Sequence, residues 1–322
     1  MNAASARAGA NIALVKYWGK RDPTLNLPAT GSLSITLAEL ETRTRIEIDR
    51  ALDVDTFELD GRAREASAVT AVLDLLRPAD APRCRVVSCN NFPTGAGLAS
   101  SASGHAALVV AAAAIFRPDL DRQALAAIAR RGSGSAARSL FGGFCQLHAG
   151  TAADGSDCWA EGIEDAEGWP LEVVVAITDA GPKAVSSREG MTRTMATSPY
   201  YPAWVASVPA DLARARRAVV ERDFDELAAV SEYSALKMHA SALAAQPGLL
   251  YWNAATMACL DRIRRLREQG VGTFFTVDAG PQVKAICRPG EGDRVAASLA
   301  RLAGVEQVLR SGLGPGARLL EP

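Results

Sequence analysis

A glycine- and serine-rich segment, PTGAGLASSAS (residues 93–103), leads into an alanine-rich apolar run that ends at residue 116. A β-branched stretch at residues 83–89 precedes it, so the predicted order is strand, turn, long helix. Glycine lets a turn present its N–H groups, and a helix start has unpaired donors and a positive dipole end. The segment therefore predicts an anion site suited to nucleotide phosphates. The alternative is an ordinary capped turn, since neither GxxxxGKS/T nor GxGxxG is present.

Composition excludes several classes of protein. Of the 322 residues, 48% are hydrophobic and 22% charged, which is typical of a globular chain. The 35 Lys and Arg residues nearly balance 36 Asp and Glu residues, so we expect no global attraction to nucleic acid. The longest apolar run is too short to cross a bilayer, and the first nine residues lack a secretion signal's apolar core. We therefore expect a cytoplasmic protein without membrane contact. The six cysteines and three histidines form neither CxxC nor HExxH, which favours reduced thiols over a zinc site.

Hydrophobic periodicity predicts a mixture of strands and helices. Residues 32–37 and 42–48 read as a hairpin, and 57–61, 171–178, 271–277 and 283–287 as further strands. Helices are predicted at 66–76, 101–116, 121–131 and 293–302. The stretch 198–269 reads as helical with breaks at 209, 222–223 and 247–248, and the end of the chain as a Gly- and Pro-rich tail. A change in character after residues 179–182 predicts two domains, 1–182 and 183–322.

Two further segments carry cations beside small or aromatic residues. In NIALVKYWGK (residues 11–20), Lys16 and Lys20 flank two aromatic residues at the end of an apolar strand. They suit an anionic ligand, although by spacing alone solvated lysines at a strand end are the favoured interpretation. In GSGSAARS (residues 132–139), Arg138 falls in a short predicted helix. Its planar fork is well shaped to hold a carboxylate, with a surface arginine as an equal alternative.

Two copies of the sequence DAGP offer a candidate acid. Asp278 follows an apolar predicted strand, and Asp179 begins the other copy. A carboxylate at the end of a buried strand is well placed to accept or orient a proton. Aspartate also commonly initiates turns, and the pattern alone leaves both the function and the choice between the two residues open.

Five segments taken in order resemble the diphosphomevalonate decarboxylase family of the GHMP kinase superfamily. They are NIALVKYWGKRD, NNFPTGAGLASSAS, RRGSGSAARSLFGGF, SSREGMTRTMATSPYYPAW and FFTVDAGPQVK. The resemblance implies an α+β, two-domain GHMP kinase fold whose N-terminal part is like ribosomal S5 domain 2, and a homodimer. It also implies ATP and Mg²⁺ acting on 5-diphosphomevalonate, with phosphorylation of the C3 hydroxyl and loss of phosphate and CO2 to give isopentenyl diphosphate. The alternatives are a related enzyme acting on 5-phosphomevalonate or mevalonate, as decarboxylase or 3-kinase, and a non-catalytic binder.

The resemblance assigns roles to individual residues. It makes Asp278, rather than Asp179, the group that orients or deprotonates the C3 hydroxyl, Arg138 the holder of the substrate carboxylate, and Lys16 a further catalytic residue. The expected substrate ligands are Asn11, Tyr17, Lys20, Ser133, Ser135, Ser187, Arg188 and Met191. The expected ATP ligands are Asn90, Pro93, Gly95, Gly97, Leu98, Ser100, Ser101, Ser103 and Lys183, with Ser101 also on the metal.

The chain departs from common family residues at four positions, which are Gly95, His105, Ala137 and Gln282. Gln282 is expected to matter most, because it lies close to Asp278 in the motif and could alter substrate choice. His105 is expected to pack behind the phosphate loop and to carry no proton.

Overall fold

The computed structural model describes residues 1–92, 100–181 and 183–321. The strands in these ranges are β1 (Ala3–Val15), β2 (Lys20–Asp22), β3 (Leu27–Pro28), β4 (Ser32–Ile48), β5 (Thr56–Leu59), β6 (Arg62–Arg64), β7 (Cys84–Asn90), β8 (Phe144–Leu147), β9 (Ala160–Glu164), β10 (Glu172–Ile177), β11 (Thr273–Val277), β12 (Val283–Cys287), β13 (Gln307–Gly312) and β14 (Arg318–Leu319). The helices there are α1 (Ser67–Leu73), α2 (Ser100–Phe116), α3 (Arg122–Gly132), α4 (Ala136–Ser139), α5 (Ser187–Thr197), α6 (Tyr201–Glu221), α7 (Phe224–Leu243), α8 (Ala254–Glu268) and α9 (Gly292–Leu299). None of these helices has the length and apolarity that a membrane crossing requires.

The first sheet is built around the long strands β1 and β4. Its order is β14-β1-β4-β7-β5-β6, and β8 and β9 extend it from the other end of β4. The β1–β4 register shifts between Gly9 and Asn11, where a side chain on Gly9 would lie 2.2 Å from the carbonyl oxygen of Leu37. Here residues 37–40 of β4 lie opposite the single residue 10 of β1, and β4 runs through this irregularity as one strand. The predicted hairpin at 32–48 is therefore wrong, because residues 38–41 (AELE) contain no turn former and stay extended.

Helix α2 packs on β1 and β4. Its alanines at positions 106, 107, 111 and 112 are completely buried, and their small side chains let the helix approach the sheet closely. Helices α1, α3 and α4 surround α2 and share its apolar core. The predicted helices at 101–116 and 121–131 are confirmed to within one residue, and Asp121 caps α3 by accepting from the N–H of Ala124.

The second sheet is antiparallel, in the order β11-β12-β10-β13. Strand β10 is buried on both sides, which explains its unbroken apolar sequence. Val173 and Val175 face a core shared with β1, β4, α6 and α7. Val174 and Ala176 face a separate core beneath α8 and α9. The shared core joins the two sheets and holds the ends of β1 and β11 near each other.

In the second half of the chain the break predicted at residue 209 is wrong, and some elements were not predicted. Helix α6 runs through Pro209, because Trp204 and Val208 bury its apolar side in the shared core, and this packing compensates for the missing N–H of proline. Helix α5 and strands β13 and β14 were not predicted.

Strand β10 precedes residue 182 yet pairs with strands that follow it, and β14 returns to the first sheet. The division into 1–182 and 183–322 remains a prediction.

Candidate active site

A cavity of about 390 Å³ lies where segments of both halves of the chain meet. Its described lining comes from the end of β1, the start of α2, the α3–α4 connection, the start of α5, α7 and the residues after β11. The described lining residues include five Lys or Arg side chains and one carboxylate, a formal excess of four positive charges. A cavity with that charge favours an anionic ligand.

Asp278 follows β11 directly, and its carboxylate is bound by two buried ammonium groups. Its Oδ1 accepts from Nζ of Lys16 at 2.6 Å, and its Oδ2 accepts from Nζ of Lys284 at 3.1 Å. Both lysine side chains are 1% exposed, whereas that of Asp278 is 25% exposed and lines the cavity. Because each carboxylate oxygen contacts one ammonium group, the orientation of the carboxylate plane is fixed.

Burial and charge act against each other in this cluster. Burial alone would raise the pKa of Asp278, but Lys16 and Lys284 outweigh it and hold that pKa well below its usual range. Burial lowers the pKa of Lys16 to about 8, while the attraction of Asp278 raises it and limits the fall. At neutral pH Asp278 is therefore ionised and Lys16 is mostly protonated.

Arg138 is a buried cation held by neutral partners. It lies in α4 and is 2% exposed. Its Nη1 donates to Oγ of Ser32 at 2.7 Å and its Nη2 to Oδ1 of Asn11 at 3.0 Å. Its Nε has no partner within the described residues, and burial lowers its pKa. No carboxylate of the described chain forms an ion pair with Arg138, so this guanidinium can take an anionic ligand as its counter-ion.

Hydroxyl groups line the side of the cavity next to α2. Ser101, in the first turn of this 17-residue helix, has its Oγ 3.4 Å from that of Ser133. The Oγ of Ser133 is in turn 3.3 Å from that of Ser135. With Ser100 they surround the start of α2, and the positive dipole end of a helix favours anions at such a position. Nδ1 of His105 lies within hydrogen-bond distance of the carbonyl oxygen of Ser101, at 2.8 Å, and burial lowers the pKa of the histidine.

The start of α5 contributes a second polar wall. Lys183 donates from Nζ to Oγ of Ser187 at 3.1 Å and to the carbonyl of Ala279 at 2.7 Å. Burial lowers the pKa of Lys20, and the nearby charge of Arg188 lowers it further. Within the described residues neither Lys20 nor Arg188 forms an ion pair with a carboxylate. They therefore present a region of positive charge to a ligand.

The structure brings most of the predicted site residues into this one cavity. Those that line it are Asn11, Lys16, Tyr17, Lys20, Ser100, Ser101, Ser133, Ser135, Arg138, Lys183, Ser187, Arg188, Met191 and Asp278. Four predicted ATP ligands, Pro93, Gly95, Gly97 and Leu98, lie outside the described residues.

Asn90 and Ser103 lie away from the described lining. Ser103 is buried, and its hydroxyl lies 2.6 Å from that of Thr42. Asn90 accepts from the same threonine at 2.5 Å, and its N–H donates to Asp60 at 2.8 Å. Thr42 thus links the end of β7 to the first turn of α2. Any contact of Asn90 or Ser103 with a nucleotide remains a prediction.

Gln282 does not line the cavity, contrary to the expectation from its position in the motif. It is completely buried, its Oε1 accepts from the N–H of Thr178 at 2.6 Å, and its Nε2 donates to the carbonyl of Asp179. Asp179 itself is exposed and accepts from the N–H of Gly181 at 2.8 Å, as a turn residue does. Of the two candidate acids left open by the sequence pattern, only Asp278 lines the described cavity.

Lys284, which contacts the carboxylate of Asp278, was missed by the sequence analysis. Asn26, Ser186 and Met238 also line the described cavity and were not predicted. Lys284 occupies the second position of the apolar strand VKAIC and is 1% exposed. A lysine inside a short apolar strand was the signal available in the sequence, since such a charge is rarely buried without a partner.

The two-sheet architecture, which matches solved structures of this fold, places the protein in the GHMP kinase superfamily, and the α+β fold class predicted for it is confirmed. A diphosphomevalonate decarboxylase-like N-terminal domain model matches residues 8–160, and a mevalonate 5-diphosphate decarboxylase C-terminal domain model matches residues 173–311. The chain belongs to the diphosphomevalonate decarboxylase family.

Relatives and solved structures agree with this assignment. The diphosphomevalonate decarboxylase of Candida albicans is 35% identical, and the match covers 98% of this chain and 97% of that protein. A solved structure of MDDEF in complex with MVAPP, AMPPCP and magnesium is 36% identical, with a TM-score of 0.92 over 100% of this chain and 99% of that one. Mevalonate diphosphate decarboxylase from Staphylococcus aureus has 33% identity and a TM-score of 0.92, over 99% and 98% of the two chains.

Proposed function

We propose that this protein uses ATP to decarboxylate 5-diphosphomevalonate, releasing isopentenyl diphosphate, ADP, phosphate and CO2. The observation that carries the proposal is that one cavity holds both a cation that needs an anionic ligand and a carboxylate that can accept a hydrogen bond. Arg138 is a buried cation without a carboxylate partner among the described residues, and Asp278 is a carboxylate held ionised by two lysines. A substrate with a carboxylate and a nearby hydroxyl satisfies both groups at once.

The charge of the cavity fits a diphosphate rather than an uncharged tail. Lys20 and Arg188 lie near each other, and the hydroxyls of Ser133, Ser135 and Ser187 line the same space. A diphosphate carries several negative charges and many acceptor oxygens, so it can use both cations and hydroxyl donors. We infer that Asn11, Tyr17 and Met191 complete the substrate site, because they line the same cavity.

The reaction needs a leaving group at a tertiary carbon. The oxygen of the C3 hydroxyl forms a bond to the γ-phosphorus of ATP, its proton passes to an oxygen of the transferring phosphoryl group, and the bond from that phosphorus to ADP breaks. The C3–O bond then breaks with its electrons passing to phosphate. The electrons of the bond to the carboxylate form the new double bond as CO2 leaves. Arg138 fixes the carboxylate so that the two breaking bonds are aligned.

We infer that Asp278 orients the C3 hydroxyl more than it deprotonates it. Two ammonium contacts stabilise its charged form and hold its pKa well below the usual range. Such a carboxylate accepts a hydrogen bond well and takes a proton poorly. Lys16 has a pKa of about 8 and is therefore mostly protonated at neutral pH. Its positive charge lies where we expect the transferring phosphoryl group.

The start of α2 suits the ATP phosphates, and we infer that Ser100, Ser101 and Lys183 contact them. The described residues contain no group of three His, Cys, Asp or Glu side chains that could hold a metal ion. Mg²⁺ is commonly held by substrate phosphates with one or two further oxygens. The exposed hydroxyl of Ser101 fits such a ligand, and the ion would supply charge neutralisation at the phosphates.

One experiment tests the activity against its alternatives. The protein is incubated with Mg²⁺, ATP and, in turn, mevalonate, 5-phosphomevalonate or 5-diphosphomevalonate, while CO2 and ADP are measured together. Equal amounts of both products from the diphosphate support the proposal. ADP without CO2 indicates a kinase, a preference for another phosphorylation state indicates the related enzyme, and neither product indicates a binder.

We also propose a homodimer that works in the cytoplasm and does not bind nucleic acid. All six cysteines are free thiols and five are buried, which suits a reducing compartment. The formal charge of −1 gives no general attraction to nucleic acid. The homodimer follows from the resemblance to the family, and size-exclusion chromatography with light scattering tests it. A mass near 33.8 kDa would refute it.

A further inference from the structure

Lys284 is a charged residue in an otherwise apolar strand. Val283, Ala285 and Cys287 pack into the core beneath α8 and α9. Strand alternation directs Lys284 and Ile286 to the opposite face, and Ile286 belongs to the core between the two sheets. A buried ammonium costs several kcal/mol unless it is well paired, so this position requires a strong partner.

That partner is the carboxylate of Asp278. Nζ of Lys284 lies 3.1 Å from its Oδ2 and 3.4 Å from the carbonyl of Gln282. Lys16 occupies the other carboxylate oxygen at 2.6 Å. Lys284 is absent from the described lining of the cavity, whereas Asp278 and Lys16 belong to it. Lys284 therefore contacts the acid without facing the space for the ligand.

The β11–β12 hairpin fixes this contact through its register. Thr276 lies directly opposite Lys284, so the two side chains share one face of the sheet. The hydroxyl of Thr276 donates to the carbonyl of Ala13 at 3.2 Å, and Lys16 donates to the same carbonyl at 2.8 Å. The carbonyl of Ala13 thus links Thr276 of the second sheet to Lys16, the residue that binds the carboxylate of Asp278.

We propose that Lys284 is a positioning residue, which holds the second oxygen of Asp278 and thereby aims the carboxylate at the reacting hydroxyl. This inference rests on the proposed function. With Lys16 alone the carboxylate could rotate about its Cβ–Cγ bond, and two ammonium contacts, one on each oxygen, prevent that rotation. The charged and titratable side chains that act on Asp278 are Lys16 at the end of β1, Lys183 before α5, Arg138 in α4, His239 in α7 and Lys284 in β12.

The test compares Lys284→Met with a matched loss of another ion pair. Lys237→Met is the control, because Nζ of Lys237 lies 2.5 Å from Asp211 and its side chain is 17% exposed. In Lys284→Met, kcat should fall by about tenfold to a hundredfold, while KM for the substrate changes by less than about twofold. Lys284→Arg keeps the charge and should regain part of kcat. Lys237→Met should keep the wild-type kcat.

A second measurement follows the Asp278 carboxyl carbon by 13C NMR during a pH titration, with the signal assigned from Asp278→Asn. Losing the nearby positive charge should raise the pKa of Asp278 in Lys284→Met relative to the wild-type protein. If that variant fails to fold, Lys284→Gln replaces it. An unchanged kcat and titration, or an equal loss in Lys237→Met, would overturn the proposal. Wild-type protein that releases no CO2 refutes the proposed function instead, and the titration still tests the contact.

Discussion

Replacing Asp278 with alanine should destabilise the protein in addition to stopping the reaction. The change removes the counter-ion of Lys16 and Lys284, whose side chains are each 1% exposed. Breaking a buried ion pair costs about 3–5 kcal/mol, because the remaining charge is left without compensation. One carboxylate here serves two ammonium groups, which places the expected loss toward the upper end of that range.

This loss corresponds to a measurable change in Tm. An unfolding entropy of about 2.1 cal/mol/K per residue, over 322 residues, gives about 0.7 kcal/mol for each kelvin. A loss of about 3–5 kcal/mol therefore lowers Tm by about 4–7 °C. Differential scanning calorimetry at neutral pH measures it, and CO2 release is followed on the same samples.

A second substitution separates lost charge balance from lost packing. Adding Lys16→Met to Asp278→Ala removes one uncompensated charge, so the double variant should melt above the single variant while staying inactive. Asp211→Ala is the control, because Lys237 is 17% exposed and keeps Ser207 as an acceptor at 2.8 Å. Its Tm should fall less. If Asp278→Ala melts with wild type, or if Lys16→Met lowers Tm further in that background, the reasoning is wrong.

Three further predictions concern other parts of the site. Arg138→Lys keeps a charge but loses the planar fork, so kcat/KM should fall by about a hundredfold; steady-state rates equal to wild type would contradict this. Turnover should decline as pH rises past about 8, where Lys16 loses its proton, and a rate profile that stays flat well above that pH would count against its role. Gln282→Asn should lower Tm and leave the kcat/KM ratio between diphosphorylated and monophosphorylated substrates unchanged, because among the described residues its amide binds the backbone of Thr178 and Asp179, just after β10; a changed ratio would show that it reaches the ligand.

Local patterns predicted the elements whose signals are short in range. The alanine-rich run gave α2 almost to the residue, and the aspartate at position 121 gave the start of α3. Likewise, the break at 222–223 is confirmed, where Arg222 ends α6 in the left-handed conformation and Asp223 caps α7. Propensity failed where packing opposed it, as at Pro209 inside α6.

The sequence by itself determined the family and the residue types of the site, because the five motifs keep their order and spacing along the chain. Only the tertiary structure decided which side chains meet. It brings Lys16 into contact with Asp278, 262 positions away in the chain. It also places Lys284 against the same carboxylate and buries Gln282 outside the cavity. The physical reason is that motifs record neighbours along the backbone, whereas the charge state of a buried carboxylate depends on ammonium groups within a few ångströms, delivered here by two sheets that pack on a shared core.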